Sequence, residues 1–189
     1  MPAHPKTTDA QIVQAARRLV DSQGRDGFSM NEVAAAVGIR APSLYGRFRD
    51  RAGLLAAVEL EMWAELAALL GSAIVANDPK ASLMAQAQAI RHFARKHPNS
   101  YSLFFAIRSV PTEEGTSARA TAVAQLIAPL TTLVGKDQAF AAARVVVPFV
   151  HGFIAMELAN AFRLGGGLDA AFEQGVSTIV RGLVDSTQG

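Results

Sequence analysis

Phe28-Ser29-Met30-Asn31-Glu32-Val33-Ala34-Ala35-Ala36-Val37-Gly38-Ile39-Arg40-Ala41-Pro42-Ser43-Leu44-Tyr45-Gly46-Arg47-Phe48 is the stretch that decides the fold. Ser29 can cap the amide of Glu32, and Glu32 can return a bond to the Ser29 amide, which is a capping box. Phe28 and Val33 occupy the two positions of a hydrophobic staple. Val33, Ala34 and Val37 form a short apolar face, and Gly38 tolerates the left-handed exit that ends a helix. Such a helix has only about two turns, too few to stand alone, so it must lean on neighbours. A second helix begins almost at once. Pro42 suits its first position and Ser43 its first turn. Leu44 and Phe48, at i and i+4, can face inward, which leaves Arg40, Ser43, Tyr45 and Arg47 on other faces. Two short helices joined by a tight turn containing Gly form a helix-turn-helix, whose second helix enters the major groove of DNA.

Upstream, Thr8-Asp9-Ala10-Gln11 is a second capping box. Ile12, Ala16, Leu19 and Val20 then recur along one helical face until Gly24 and Gly27 break the pattern. Downstream, Asp50 can cap a long helix through Leu54, Leu55, Val58, Met62, Trp63, Leu66 and Leu70. Asn77-Asp78-Pro79 marks a stop and a restart, and Pro98 ends the helix that follows. Further helices are predicted over Tyr101–Arg108, Thr116–Val134 and Gln138–Leu164, the last interrupted by Pro148, with a loop at Val110–Gly115. Gly165-Gly166-Gly167 is a plain stop, and Asp169 is placed to cap a final helix to about Asp185. The expected fold is all-α, with about nine helices. A three-helix helix-turn-helix domain occupies residues 1–51 and a helical domain for ligand binding and dimerisation occupies 52–189.

The charge supports a division of labour. Residues 1–51 hold Lys6, Arg17, Arg18, Arg25, Arg40, Arg47, Arg49 and Arg51 against Asp9, Asp21, Asp26, Glu32 and Asp50, although the whole chain carries only +2. Four arginines lie between Arg40 and Arg51 against one acid, a basic patch that suits phosphate contact but also fits a solvated helix end. Half the chain is hydrophobic, which argues against disorder. Cysteine is absent, which suits a reducing cytoplasm. The N-terminal stretch has no apolar signal core. The richest apolar stretch, Val145–Met156, is broken by Pro148 and His151, so no run is expected to approach the roughly 18 residues of a membrane span. A cytoplasmic protein with no membrane partner is expected.

The spaced set Phe28-Ser29, Val33-Ala34, Gly38-Ile39, Ser43-Leu44-Tyr45, Phe48, Arg51 and Leu54-Leu55 closely resembles the N-terminal domain of the TetR family of transcriptional regulators, over about residues 7–56. The family usually has His where this chain has Arg47 and Lys where it has Arg51, and both changes keep or add positive charge. The resemblance implies that Ser29 bonds a phosphate besides capping and that Arg40, Ala41, Ser43 and Leu44 lie where base contacts are made. It implies that Tyr45 and Arg47 touch phosphates or bases, and that Arg51 touches a phosphate. Against these roles, Ser29 is a cap in any case, Tyr45 suits simple packing, and Ala41 and Leu44 suit core or spacer positions. Phe149-Val150-His151-Gly152-Phe153 with Glu157-Leu158 resembles a TetR subgroup whose C-terminal domain carries Trp-His-Gly, with Val150 in place of the Trp.

No P-loop, dinucleotide-binding glycine motif, zincin motif or nucleophile elbow is present, so no enzyme is expected. No cofactor is expected, and His4, His92, His97 and His151 lack close metal-ligand spacing. Trp63, Phe93, Tyr101, Phe104, Phe105, Phe149 and Phe153, with Arg108 and His151, are the candidate lining of an effector site in the middle helices. His97, Arg144 and Glu157 are further polar candidates, and ordinary core packing explains the aromatics equally well. The last two helices are strongly apolar for terminal elements, and the resemblance implies a homodimer built through them. The expected function is a ligand-responsive regulator, a repressor released from a palindromic double-stranded DNA operator by an apolar or aromatic small molecule. The alternative is a dimeric small-molecule-binding or interaction protein of the same fold that binds no operator. The arginines beside Tyr45 favour the former.

Overall fold

The computed structural model describes residues 7–105 and 113–186. Among these residues there are nine α-helices and no strand, the all-α class expected. They are α1 (Asp9–Gln23), α2 (Met30–Ala36), α3 (Ala41–Tyr45), α4 (Arg51–Ser72), α5 (Pro79–Lys96), α6 (Pro98–Leu103), α7 (Glu113–Val134), α8 (Lys136–Leu158) and α9 (Leu168–Asp185).

The start signals act as their residue types dictate. Thr8 and Ser29 are N-caps of α1 and α2, each in a reciprocal capping box. The Asp50 carboxylate accepts the Gly53 amide at 2.8 Å, and that of Asp78 the Ala81 amide at 2.9 Å. Helix α2 ends in a Schellman motif. The Ile39 amide bonds the Ala34 carbonyl at 3.0 Å and the Gly38 amide that of Ala35 at 3.2 Å, with Gly38 at φ +71°.

Four boundaries differ from expectation. Pro98 ends α5 but also opens α6, which therefore starts three residues before Tyr101 and ends at Leu103; the expected end at Arg108 lies outside the described residues. Helix α7 opens at Glu113, inside the expected loop, with Glu113 and Glu114 in its first turn, where acids favour the positive end of the helix dipole. Helix α8 stops at Leu158 and not at Leu164. Asn160 takes φ +51° and a second Schellman motif forms, Ala161 to Met156 at 2.9 Å and Asn160 to Glu157 at 3.0 Å. Finally, Gly167 rather than Asp169 is the N-cap of α9. The Asp169 carboxylate instead receives bonds from Arg91 and Arg95.

The expected break in the apolar stretch around Pro148 and His151 does not occur. Both residues lie inside α8, which is 23 residues long and contains an apolar 18-residue window with a mean hydropathy of 1.7, enough by length and composition to cross a membrane. Only 28% of that apolar window is buried.

Two compact units emerge. One contains the described residues up to Trp63 together with His97–Ser117. Its core holds Ile12, Ala16, Val20, Val33, Leu44, Leu54 and Val58, all buried, and α6 packs on α1. The other contains Ala64–Lys96 and the residues from Ala118 onward. Its core includes Leu83, Leu130, Ile154, Phe172 and Val176, and α5, α8 and α9 pack on one another. Division by compactness thus assigns the His97–Ser117 segment to the same unit as the helix-turn-helix.

Candidate nucleic-acid interface

Helix α3 is only five residues long, and a single anchor holds it. Leu44 is fully buried, while Arg40, Ser43, Tyr45, Arg47 and Arg49 are exposed around it. Tyr45 keeps half of its surface in solvent. An exposed phenol flanked by cations is poorly explained by packing and well suited to a phosphate or a base edge. Among the described residues no ion pair holds Arg40 or Arg49. The expectation that Leu44 lies in reach of a base is corrected, because a side chain with no exposed surface has nothing to offer DNA. Ala41 stays half-buried.

Arg47 and Arg51 are each tied back to the protein. Arg47 Nη1 donates to the Thr7 carbonyl at 2.6 Å and to Asp9 Oδ1 at 3.0 Å. Arg51 Nε donates to the Phe28 carbonyl at 3.1 Å and Nη2 to the Arg25 carbonyl, and Nη1 pairs with Asp26 at 3.6 Å. Its guanidinium also sits 4.6 Å over the Phe28 ring. Arg51 therefore braces the α1–α2 loop against the start of α4, a role that the spacing of charges did not reveal. Ser29 is equally committed. Its hydroxyl donates to Glu32 Oε2 at 2.7 Å and accepts the Glu32 amide at 3.3 Å. Bonds from the Ser29 hydroxyl and amide hold the Glu32 carboxyl below the usual glutamate range.

The candidate effector residues fall into two groups. In the unit with the helix-turn-helix, Trp63 meets Phe104 edge-on at 4.7 Å, and Tyr101 meets Phe104 at 6.2 Å and Phe105 at 5.4 Å. Burial pushes the Tyr101 phenol above its ordinary value, so it stays neutral. In the other unit, Phe149 and Phe153 lie 6.1 Å apart and join Phe172 and Phe162, which sequence reasoning did not single out as site residues. Phe93 is buried in α5. His151 is half-buried on α8, and desolvation lowers its pKa, so the ring is neutral at neutral pH. Arg108 lies outside the described residues. Two of the three further polar candidates are otherwise occupied: His97 Nδ1 faces Asp21 at 3.0 Å, and Glu157 accepts both Arg91 and Arg95, while Arg144 is exposed on α8. Among the described residues no group of His, Asp and Glu side chains could hold a metal ion.

Comparison with known proteins now settles the family. Residues 12–58 match the family model of bacterial regulatory proteins of the tetR family. Residues 83–179, more than half of the chain, match the model of the tetracyclin repressor-like C-terminal domain. The chain belongs to the TetR family.

TetR-family members are ligand-responsive, DNA-binding transcriptional regulators that form dimers, and they are not enzymes. An uncharacterized HTH-type transcriptional regulator of Mycobacterium tuberculosis is 28% identical over 155 residues, covering 81% of this chain and 71% of its own. A protein of unknown function from Rhodococcus sp. RHA1 superposes with a TM-score of 0.83 at 23% identity, over 97% of this chain and 99% of that one. A TetR variant from Acinetobacter baumannii AYE in complex with minocycline superposes with a TM-score of 0.69, also at 23% identity, over 96% and 99%. These two likenesses establish the TetR fold and leave the ligand of this chain open.

Proposed function

We propose that this TetR-family regulator binds a near-palindromic operator as a homodimer and releases it when a small apolar or aromatic molecule binds. Residues 1–51 do the DNA binding, and 52–189 the effector binding and dimerisation. The observation that carries the reading is the exposed set Arg40, Ser43, Tyr45 and Arg47 presented around the buried Leu44. Arg40, Ser43 and Ala41 stand at the start of α3, where a helix-turn-helix reads base edges in the major groove. Tyr45 and Arg47 follow as phosphate contacts that set register. Ser29 and Arg51 act chiefly by holding the loop and the start of α2 in place.

The second copy is the partner that fits α8 and α9. Ala141, Val145, Pro148, Gly152, Ala155 and Met156 recur along one exposed stripe of α8. The exposed face of α9 is small and partly polar, with Ala170, Ala171, Gln174, Thr178 and Gly182. A lipid surface would not favour Gln174, Thr178 and Arg181 beside that stripe, whereas two close-packed helix pairs accommodate both. A protein that works on an operator works in the cytoplasm, which is the location proposed.

Each unit offers its own candidate effector group, Trp63, Tyr101, Phe104 and Phe105 in one and Phe93, Phe149, His151 and Phe153 in the other, and Arg108 remains a candidate from the sequence alone. An effector lowers operator affinity only by binding better to a state whose two recognition helices have the wrong spacing.

Selection of genomic fragments bound by the protein, repeated at rising salt, tests the reading. A palindromic sequence should emerge and affinity should fall steeply with salt. Tyr45→Ala with Arg47→Ala should abolish specific binding while leaving the melting temperature nearly unchanged. No enriched sequence, or retained specific affinity in the double variant, would overturn the assignment.

A further inference from the structure

Arg47 is the cation in the DNA-facing set that an acid already holds. Its Nη1 reaches Asp9 Oδ1 at 3.0 Å and the Thr7 carbonyl at 2.6 Å, and both acceptors belong to the start of α1. Thr7 is itself bonded through its hydroxyl to the Val37 carbonyl at 3.4 Å, which ties this start to the end of α2. The Arg47 side chain is 26% exposed and that of Asp9 69%. An ion pair this open to water contributes little to folding. What it does determine is the state from which DNA must recruit Arg47.

We propose that Asp9 is a built-in competitor with DNA phosphate for Arg47. The inference rests on the reading that Arg47 touches DNA. In the free protein Asp9 and the Thr7 carbonyl hold the guanidinium against α1. A phosphate that recruits Arg47 must displace the carboxylate, and Asp9 is then left as an uncompensated negative charge facing a polyanion. The consequence for ions can be counted. Neutralising a phosphate releases a condensed cation. Freeing Asp9 restores an exposed carboxylate whose own counterion atmosphere offsets part of that release, so Arg47 contributes less to the salt dependence than an unpaired arginine does. Operator affinity is thereby held below what the arginine content of the helix-turn-helix allows, and binding stays within reach of effector control. Arg40 and Arg49, which no acid holds among the described residues, are not restrained in this way.

The test is a two-by-two set: wild type, Asp9→Asn, Arg47→Ala and the double variant, titrated on the selected operator and on random-sequence duplex at several salt concentrations. Asp9→Asn should tighten both complexes by about two- to fivefold, the range measured for exposed ion pairs. It should also steepen the slope of log affinity against log salt, by less than the roughly 0.9 that one whole phosphate contact contributes per protomer. Both gains should vanish when Arg47 is Ala. Asp9→Ser serves as a second variant, and melting curves confirm that α1 is intact in each. An unchanged or weakened complex in Asp9→Asn overturns the proposal. So does an equal gain with Arg47 absent, because Asp9 would then act as a plain surface charge. If instead Arg47→Ala alone leaves operator affinity at the wild-type level, the placement of Arg47 on DNA is what fails.

Discussion

Arg91 is held on several sides at once. Its side chain is only 7% exposed. It lies over the rings of Phe153 at 5.4 Å and Phe172 at 4.7 Å. Its Nε and Nη2 meet the two oxygens of Glu157 at 2.7 Å each, and Nη1 meets Asp169 at 2.9 Å. Arg95 adds further bonds to both acids. The bidentate geometry offsets the cost of taking the charges out of water, but the set tolerates no missing member. Glu157→Gln, which leaves two arginines sharing one exposed Asp169, should lower unfolding free energy by about 2–4 kcal/mol in urea titration. The pH dependence has a definite sign. Bonds from Arg91 hold the Glu157 carboxyl below the usual range, with Arg95 adding to the effect. The unfolded state therefore takes up a proton first as pH falls. The stabilisation is fully present above about pH 5 and is lost as pH drops through the ordinary glutamate value of about 4.3 toward the lowered folded one. A urea midpoint that falls just as steeply through this window in Glu157→Gln as in wild type would contradict the assignment. None of this was legible in the sequence. An arginine on an amphipathic helix reads as solvated, and Glu157 stood only among the polar candidates for the pocket. Its partner is 66 residues away, and no local pattern carries that distance.

At the scale of the element, legibility depended on which residue performs a general task. The same Schellman geometry closes α2 and α8. At α2 the left-handed residue is Gly38, a signal readable from the residue type alone. At α8 it is Asn160, which tolerates that conformation less conspicuously, so the predicted helix ran on to Leu164. Capping boxes were readable because both partners lie within one turn. Which residues of α8 and α9 face each other was not readable, because no local pattern fixes it. A Cβ placed on Gly175 would lie 2.2 Å from the Cζ of Phe149. Phe149 cannot yield freely, since it packs with Phe153 and Phe172. Gly175→Ala should therefore destabilise the protein by about 1–3 kcal/mol, the usual cost of overpacking. Alanine is normally the better helix former by about 1 kcal/mol. A variant that melts higher than wild type would mean that the two helices do not approach this closely in solution.

At the scale of the whole molecule, the question is what covers α8. Phe140, Val145 and Met156 are exposed, at 61%, 49% and 47% of their surfaces. The surplus apolarity of the last two helices was visible in the sequence. Its continuity was not, because Pro148 and His151 read as interruptions, whereas both lie inside the helix. A twofold axis would bring the same stripe on both copies together, so one residue changed alters the interface twice. Val145 and Met156 lie on the same side of α8, eleven residues or about three turns apart. Glutamate at both positions would bury four unpaired carboxylates in a dimer, a cost well beyond what a typical interface can absorb. The double variant Val145→Glu, Met156→Glu should therefore be monomeric by light scattering at micromolar concentration, with its melting curve still cooperative. Operator affinity should fall by a further 10²–10⁴, because joining two half-site readers makes the second contact intramolecular, and the monomer loses that advantage. The helix-turn-helix is untouched, so binding to a single half-site should keep its weak affinity and its dependence on Tyr45. A double variant that remains dimeric would place the interface elsewhere, and a monomer that binds the full operator as tightly as wild type would remove dimerisation from the mechanism.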